Sequence, residues 1–171
     1  MPTDYEAFYR ENPNGLGKPT KEYVSFFDVY GKRNARVLDV ECGQGRDALF
    51  IGRLGHTVTA VDISRSGVAA LVEAAACESL EIDAHIADIR NYRWAGPYDV
   101  IVVDRTLHML PADDRLEMLG ALVGATVAGS HLLIADEKRN LPAFAQLLSQ
   151  SGQEWKPILA KRGFLFVLRE K

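Results

Sequence analysis

The chain has 171 residues, a formal net charge of -3, 47% hydrophobic and 25% charged residues, the balance of an ordinary globular protein with a sizeable single core. It has no dense run of Lys and Arg, which argues against nucleic acid or an anionic membrane as the main partner, and no apolar stretch near the ~20 residues of a membrane span. Cys42 and Cys77 make no disulfide framework, and His56, His85, His108 and His131 are scattered without ligand spacing, so no metal is expected. The opening Met-Pro-Thr-Asp-Tyr-Glu lacks a basic-then-apolar leader, and one cytoplasmic domain over residues 1–171 is the expectation.

Asp4 to Arg10 reads as a short helix with Tyr5, Phe8 and Tyr9 near one face. Asn12-Pro13-Asn14-Gly15-Leu16-Gly17-Lys18-Pro19 reads as a loop. Thr20 is a candidate N-cap for a helix whose Tyr23, Val24, Phe27 and Tyr30 recur at helical spacing and which Gly31 ends. These first thirty residues hold four of the six tyrosines and three of the seven phenylalanines. Residues 1–34 are therefore either a lid over a site or a helical segment packed on a sheet.

Val37 to Val40 is short, apolar and β-branched, as a buried strand should be, and carries one carboxylate, Asp39. Gly43 and Gly45 then allow a tight turn and close approach of backbone to a ligand. Arg46 to Leu54 has the spacing of a helix laid on a sheet, and Thr57 to Val61 is a second strand ending at Asp62. A strand, a glycine turn, a helix, a strand and a carboxylate form the half-unit that binds nucleosides at the carboxyl edge of a parallel sheet.

An alanine-rich helix from Arg65 to Cys77 follows, then a third strand from Leu80 to Ala87 ending at Asp88-Ile89. Tyr98 to Val103 is an apolar run suited to the middle of a parallel sheet. Asp104 to Leu110 is a polar-then-apolar segment at its carboxyl end. Pro111 opens a helix with Leu116, Leu119, Leu122 and Val123 toward the core. His131 to Ala135 is a fifth strand and Pro142 to Ser151 a helix. Trp155 to Leu159 and Phe164 to Leu168 form a hairpin turning at Arg162-Gly163. Strands separated by helices and closed by a hairpin indicate an α/β, three-layer sandwich.

Val-Leu-Asp-Val-Glu-Cys-Gly-Gln-Gly, Asp62, Asp88-Ile89 and Tyr-Asp-Val-Ile-Val-Val-Asp resemble the ordered motifs of class I S-adenosylmethionine-dependent methyltransferases. Phe8-Tyr9-Arg10-Glu11-Asn12-Pro13, Leu16-Gly17-Lys18-Pro19 and Cys-Gly-Gln-Gly-Arg are similar to small bacterial enzymes of the tellurite-resistance and thiopurine-methyltransferase type. The resemblance implies a mostly parallel, seven-stranded Rossmann-like sheet with a C-terminal antiparallel hairpin. It also implies a donor-binding core over residues 35–171, with S-adenosyl-L-methionine as donor and S-adenosylhomocysteine as product.

On that reading Asp62, with Ile63 beside it, accepts hydrogen bonds from two ribose hydroxyls. Asp88 takes the adenine amine while Ile89 packs on the ring. Cys42, Gly43 and Gly45 line the methionine portion, and Asp39 meets its ammonium. Asp104, Arg105 and His108 stand where the acceptor is expected: Asp104 against the donor, Arg105 to draw in an anion, His108 as a base if the acceptor arrives protonated. The family usually has Gly where this chain has Glu41, whose side chain must point away from the donor, displace it or meet its ammonium.

Two rival readings stand beside this one. Gly43-Gln44-Gly45-Arg46-Asp47-Ala48 formally satisfies a dinucleotide fingerprint, hence an NAD(P)-dependent oxidoreductase. A non-catalytic S-adenosylmethionine- or nucleoside-binding regulatory protein on the same fold is the other. A small molecule is the expected acceptor, with no nucleic acid and no membrane as partner.

Overall fold

The computed structural model describes residues 4–13 and 15–171. Asn14 of the expected loop and the first three residues of the leader reading lie outside them. The chain divides into two compact units, residues 1–89 and 90–171.

The first unit opens with α1 (Tyr5–Glu11), whose N-cap Asp4 accepts a hydrogen bond from the Ala7 amide at 3.1 Å. Next comes α2 (Lys21–Val29), which buries Tyr23, Phe26 and Phe27. The expected Thr20 side-chain cap does not form. Instead the Thr20 backbone amide donates to Asp47 Oδ1 at 3.3 Å, which ties the start of α2 to a residue just after the glycine turn. Strands β1 (Arg36–Val40), β2 (Thr57–Asp62) and β3 (Ile82–Ile86) pair in parallel in the order β3-β2-β1. Helices α3 (Arg46–Arg53) and α4 (Arg65–Glu78) make the crossovers. Four of the five residues of β1 are buried, including Asp39, as a central parallel strand covered on both faces requires. The third strand is shorter than its sequence suggests. Ser79 caps α4 in the left-handed region and the Leu80 amide donates back to Ala75 O at 2.9 Å, so Leu80 belongs to the helix end.

The second unit carries β4 (Val100–Asp104), β5 (His131–Ala135), β6 (Trp155–Lys161) and β7 (Phe164–Arg169). Strands β4 and β5 are parallel, β5 and β7 antiparallel, and β6 and β7 form the terminal hairpin. Its turn is Arg162-Gly163, both residues with positive φ. Strand β6 is irregular between Pro157 and Leu159, and its exposed Pro157 suits an edge. Helices α5 (Ala112–Gly124) and α6 (Leu141–Gln150) bury Met118, Leu119, Leu122, Val123, Phe144 and Leu148. Two expectations shift here. Tyr98 precedes β4, its amide bonded to Ala125 O at 3.0 Å. Leu116 is half-buried in a groove between α5 and α6, and Met118 takes the core place.

The fold class is the expected one: seven strands, mostly parallel, with helices between them and a C-terminal antiparallel hairpin. Among the described residues no helix is long and apolar enough to cross a membrane, and no cluster of three His, Cys, Asp or Glu residues suits a metal ion.

Candidate functional site

In the first unit the chain leaves β1 through Glu41 (φ 59), Cys42, Gly43 (φ 54), Gln44 and Gly45 (φ 81), where α3 begins. Three left-handed residues in five bend the backbone sharply, and Glu41 is the one that carries a side chain there. The turn is tied to the neighbouring strand through one carboxylate. Asp62, buried at the end of β2, accepts the Gly43 amide on Oδ2 and the Ser64 amide on Oδ1, each at 2.7 Å. Burial raises the pKa of this carboxyl above the ordinary range, against the two backbone bonds, which lower it. A carboxylate has about four acceptor positions. Two remain on Asp62, enough for a pair of neighbouring hydroxyls.

Helix α4 also comes close. A Cβ on Gly67 would meet the Gly43 carbonyl carbon and oxygen at 2.9 Å, so glycine is required for this helix start to reach the turn. Cys42 is buried, and its thiol is pushed well above the usual range by burial and by Asp39, Asp62 and Glu41; it is not a reactive thiol. Asp39 lies buried on β1 opposite Ala60. Asp88 is half-buried after β3. At this sheet edge Ile63 is 60% exposed and Ile89 2% exposed, so the open apolar surface is offered by Ile63.

The N-terminal segment closes over this turn. A Cβ on Gly43 would meet Tyr9 Oη at 2.5 Å and Leu16 Cδ1 at 2.9 Å. Burial, with the nearby Asp62 carboxylate, pushes the Tyr9 phenol up. Gln44 donates from Nε2 to the carbonyls of Tyr9 (3.1 Å) and Asn12 (3.0 Å) and accepts the Gly15 amide on Oε1 at 3.0 Å. Glu6 accepts from the Ser64 hydroxyl at 2.5 Å, the Ser66 hydroxyl at 2.6 Å and the Ser66 amide at 3.1 Å. These bonds hold its pKa at about 2.

In the second unit β4 ends at Asp104, followed by Arg105 in the left-handed region (φ 54), whose amide donates to Ala135 O at 2.7 Å. A 3-10 turn spans Leu107–Met109. The His108 amide donates to Asp136 Oδ2 at 3.0 Å. Arg115 reaches back from α5 to the carbonyls of Leu107 (2.9 Å), His108 (3.3 Å) and Leu110 (2.9 Å), and to Asn140 Oδ1 at 2.7 Å.

A family model described as a methyltransferase domain matches residues 37–129. The chain belongs to that family. It is a class I, S-adenosylmethionine-dependent methyltransferase domain, and it is similar to TehB-type members of that class. The chain is 32% identical over 122 residues to the ubiquinone biosynthesis O-methyltransferase of a Caulobacter species, covering 70% of this chain and 47% of that one. It is 39% identical over 67 residues to a probable S-adenosyl-L-methionine-dependent methyltransferase TehB of Haemophilus influenzae, covering 39% of this chain and 23% of that one. The chain thus spans half or less of the length of these curated relatives. The crystal structure of a TehB-like methyltransferase from Corynebacterium glutamicum superposes with a TM-score of 0.75 at 20% identity over 100% of both chains, a likeness of fold.

Within this methyltransferase family frame, reading the sequence did not single out Tyr9, Gln44, Gly67, Arg115 or Asp136. Gln44 was legible only as part of the motif; its partners lie 32 and 35 residues upstream. Gly67 is one glycine in an alanine-rich helix, and only its distance to Gly43 gives it meaning. Asp136 stands after a strand, as Asp62 does at the end of one, and that parallel was the available signal.

Proposed function

We propose that this chain transfers a methyl group from S-adenosylmethionine to a small-molecule nucleophile by in-line displacement. The observation that carries the reading is the buried Asp62, fixed by the Gly43 and Ser64 amides with two acceptor positions left, in a chain of this family. The residues present fit the donor. Asp62 would take the ribose hydroxyls and the open face of Ile63 the flank of the purine, with Asp88 toward the exocyclic amine beside Ile89. Cys42, Gly43 and Gly45 would line the methionine portion, with Asp39 toward the ammonium. When bound, the donor supplies a methyl carbon made electrophilic by a positively charged sulfur.

The chain's own contribution is then mostly positioning, an effect worth ~7–11 kcal/mol of barrier when reactants are held in line. The N-terminal segment, residues 1–34, acts as a lid: Tyr9 and Leu16 cover the turn and exclude water from it. Residues 35–171 form the donor-binding core of one methyltransferase domain. Asp104 at the carboxyl end of β4, and Arg105 and His108 past it, are assigned to the acceptor side. An acidic chain without a basic stripe favours a small acceptor over nucleic acid, and we assign the protein to the cytoplasm.

The test incubates the protein with isotopically labelled S-adenosylmethionine and, separately, thiols, amines, selenite, tellurite, RNA and a protein extract. Labelled methyl on one of the small acceptors is expected. Label confined to RNA or protein, or calorimetric binding of NADPH with none of S-adenosylhomocysteine, overturns the reading.

A further inference from the structure

Strands β4 and β5 are parallel neighbours, and a chemically able side chain stands beyond the carboxyl end of each. Past β4 lies His108; past β5 lies Asp136. Ligands of open α/β sheets bind outside the carboxyl ends of such strands, so this pair sits on the edge where chemistry is done.

The Asp136 side chain is fully buried and nearly saturated. Its Oδ1 accepts the Glu137 amide at 2.7 Å and Asn140 Nδ2 at 2.6 Å, and its Oδ2 accepts the His108 amide at 3.0 Å. Three of about four acceptor positions are filled. The remaining one is on Oδ2, and His108 Nδ1 stands 3.9 Å from that oxygen. Nδ1 is itself buried and makes no hydrogen bond among the described residues. The His108 side chain nevertheless keeps 31% of its surface exposed, so its open edge is the opposite one, which carries Nε2. Behind the pair, Arg115 grips the carbonyls of Leu107, His108 and Leu110 and the Asn140 amide oxygen. The backbone under the imidazole is thereby fixed by one side chain.

We propose that Asp136 is a positioning residue that holds His108 as its Nδ1–H tautomer and so presents Nε2 as a proton acceptor. The inference rests on the methyl-transfer reading above and narrows its substrate class: the acceptor arrives carrying its proton on oxygen, nitrogen or sulfur. In the step this implies, the acceptor's heteroatom–hydrogen bond breaks and the proton passes to Nε2. The electron pair left on the heteroatom forms the bond to the methyl carbon, while the carbon–sulfur pair returns to sulfur, which becomes a neutral thioether. The positive charge gained by the imidazole faces the Asp136 carboxylate. A neutral imidazole has one donor and one acceptor nitrogen, and the partner of the first decides which is which. A carboxylate that accepts only can select Nδ1–H.

The experiment is long-range proton–nitrogen correlation spectroscopy of the full-length protein with nitrogen-labelled histidine, at about pH 8, where an ordinary imidazole is neutral. The His108 signals are those lost in His108→Gln. A protonated Nδ1 and a bare Nε2 are expected for the unaltered protein. In Asp136→Asn, whose amide nitrogen is a donor, the tautomer should move toward Nε2–H. A purely structural role for Asp136 in capping the turn would leave it unmoved. Nε2–H in the unaltered protein overturns the proposal, as does an unchanged tautomer in folded Asp136→Asn. Should that variant fail to fold, the spectrum of the unaltered protein still decides. Calorimetry with S-adenosylhomocysteine on the same sample separates this inference from the reading it rests on. Binding with the wrong tautomer overturns the proposal alone, whereas absence of binding overturns the donor site whatever the tautomer.

Discussion

The turn after β1 and the turn after β4 solve one problem by different means. Each leaves a buried parallel strand and sends a backbone amide to a buried aspartate at or just past the end of the neighbouring strand: Gly43 to Asp62 at 2.7 Å, His108 to Asp136 at 3.0 Å. The first turn is shaped mainly by its backbone, through left-handed Glu41, Gly43 and Gly45, with the Asp62 carboxylate holding one amide. The second is shaped by side chains, with Arg115 spanning three carbonyls. Backbone-built turns leave room for a ligand to lie against the main chain. Turns built by side chains present functional groups instead.

The largest expected effect comes from Asp62→Ala. A hydrogen bond to a charged group contributes ~1.5–3 kcal/mol, and two hydroxyls lose their acceptor at once. Calorimetric affinity for S-adenosylhomocysteine should fall about 100-fold or more. Unchanged affinity would refute the assignment of this turn to the donor.

Gly43→Ala probes the backbone shape directly. The new methyl group would sit in a left-handed backbone position and against Tyr9 and Leu16. A loss of about 1–3 kcal/mol in denaturant unfolding is expected, together with weaker donor binding.

On the other side of the comparison, Arg115→Met keeps the aliphatic stem and removes the grip on three carbonyls. Charged hydrogen bonds of this kind contribute ~1.5–3 kcal/mol, and a stability loss of about 2 kcal/mol is expected. A melting temperature equal to that of the unaltered protein would show that the second turn holds itself.

Glu41→Gly sharpens the contrast from the opposite direction. At φ 59 a side chain costs about 1 kcal/mol relative to glycine, so the variant should unfold at higher denaturant. Donor affinity should be equal or better. A collapse of affinity would make Glu41 a ligand.

The smallest effect concerns the N-terminal segment. Glu6 has its pKa lowered to about 2 by the hydroxyls of Ser64 and Ser66 and the Ser66 amide. A depressed carboxyl contributes stability that is present above its unfolded value and lost as pH falls through the folded one. The stability difference between the unaltered protein and Glu6→Gln should therefore be constant above about pH 5. It should shrink between there and about 2. A difference that grew on acidification would contradict the bonding described.

The sequence made the turn after β1 legible because its signals are local: glycines two apart, a β-branched run, a carboxylate where the next strand ends. Strand and helix placement followed periodicity and erred only at ends, where Leu80 joins a helix cap and Tyr98 binds a helix terminus. The turn after β4 was legible as a polar segment at a strand end but not in how its side chains meet. Asp136 lies 28 residues from His108 and Asn140 lies 25 from Arg115. Periodicity carries no information about side chains that meet from different elements. Glu41 was visible as a departure, and its left-handed backbone explains why the position normally has no side chain.

Gln44 couples two things that sequence order keeps apart. Its single amide supplies partners to Tyr9, Asn12 and Gly15 while its own backbone is part of the glycine turn. Trimming the residues before Leu16 would therefore do more than shorten the protein. It would strand a buried amide without partners and bare the far side of the turn, so an expression fragment beginning at the first strand should be aggregation-prone even though every strand is retained.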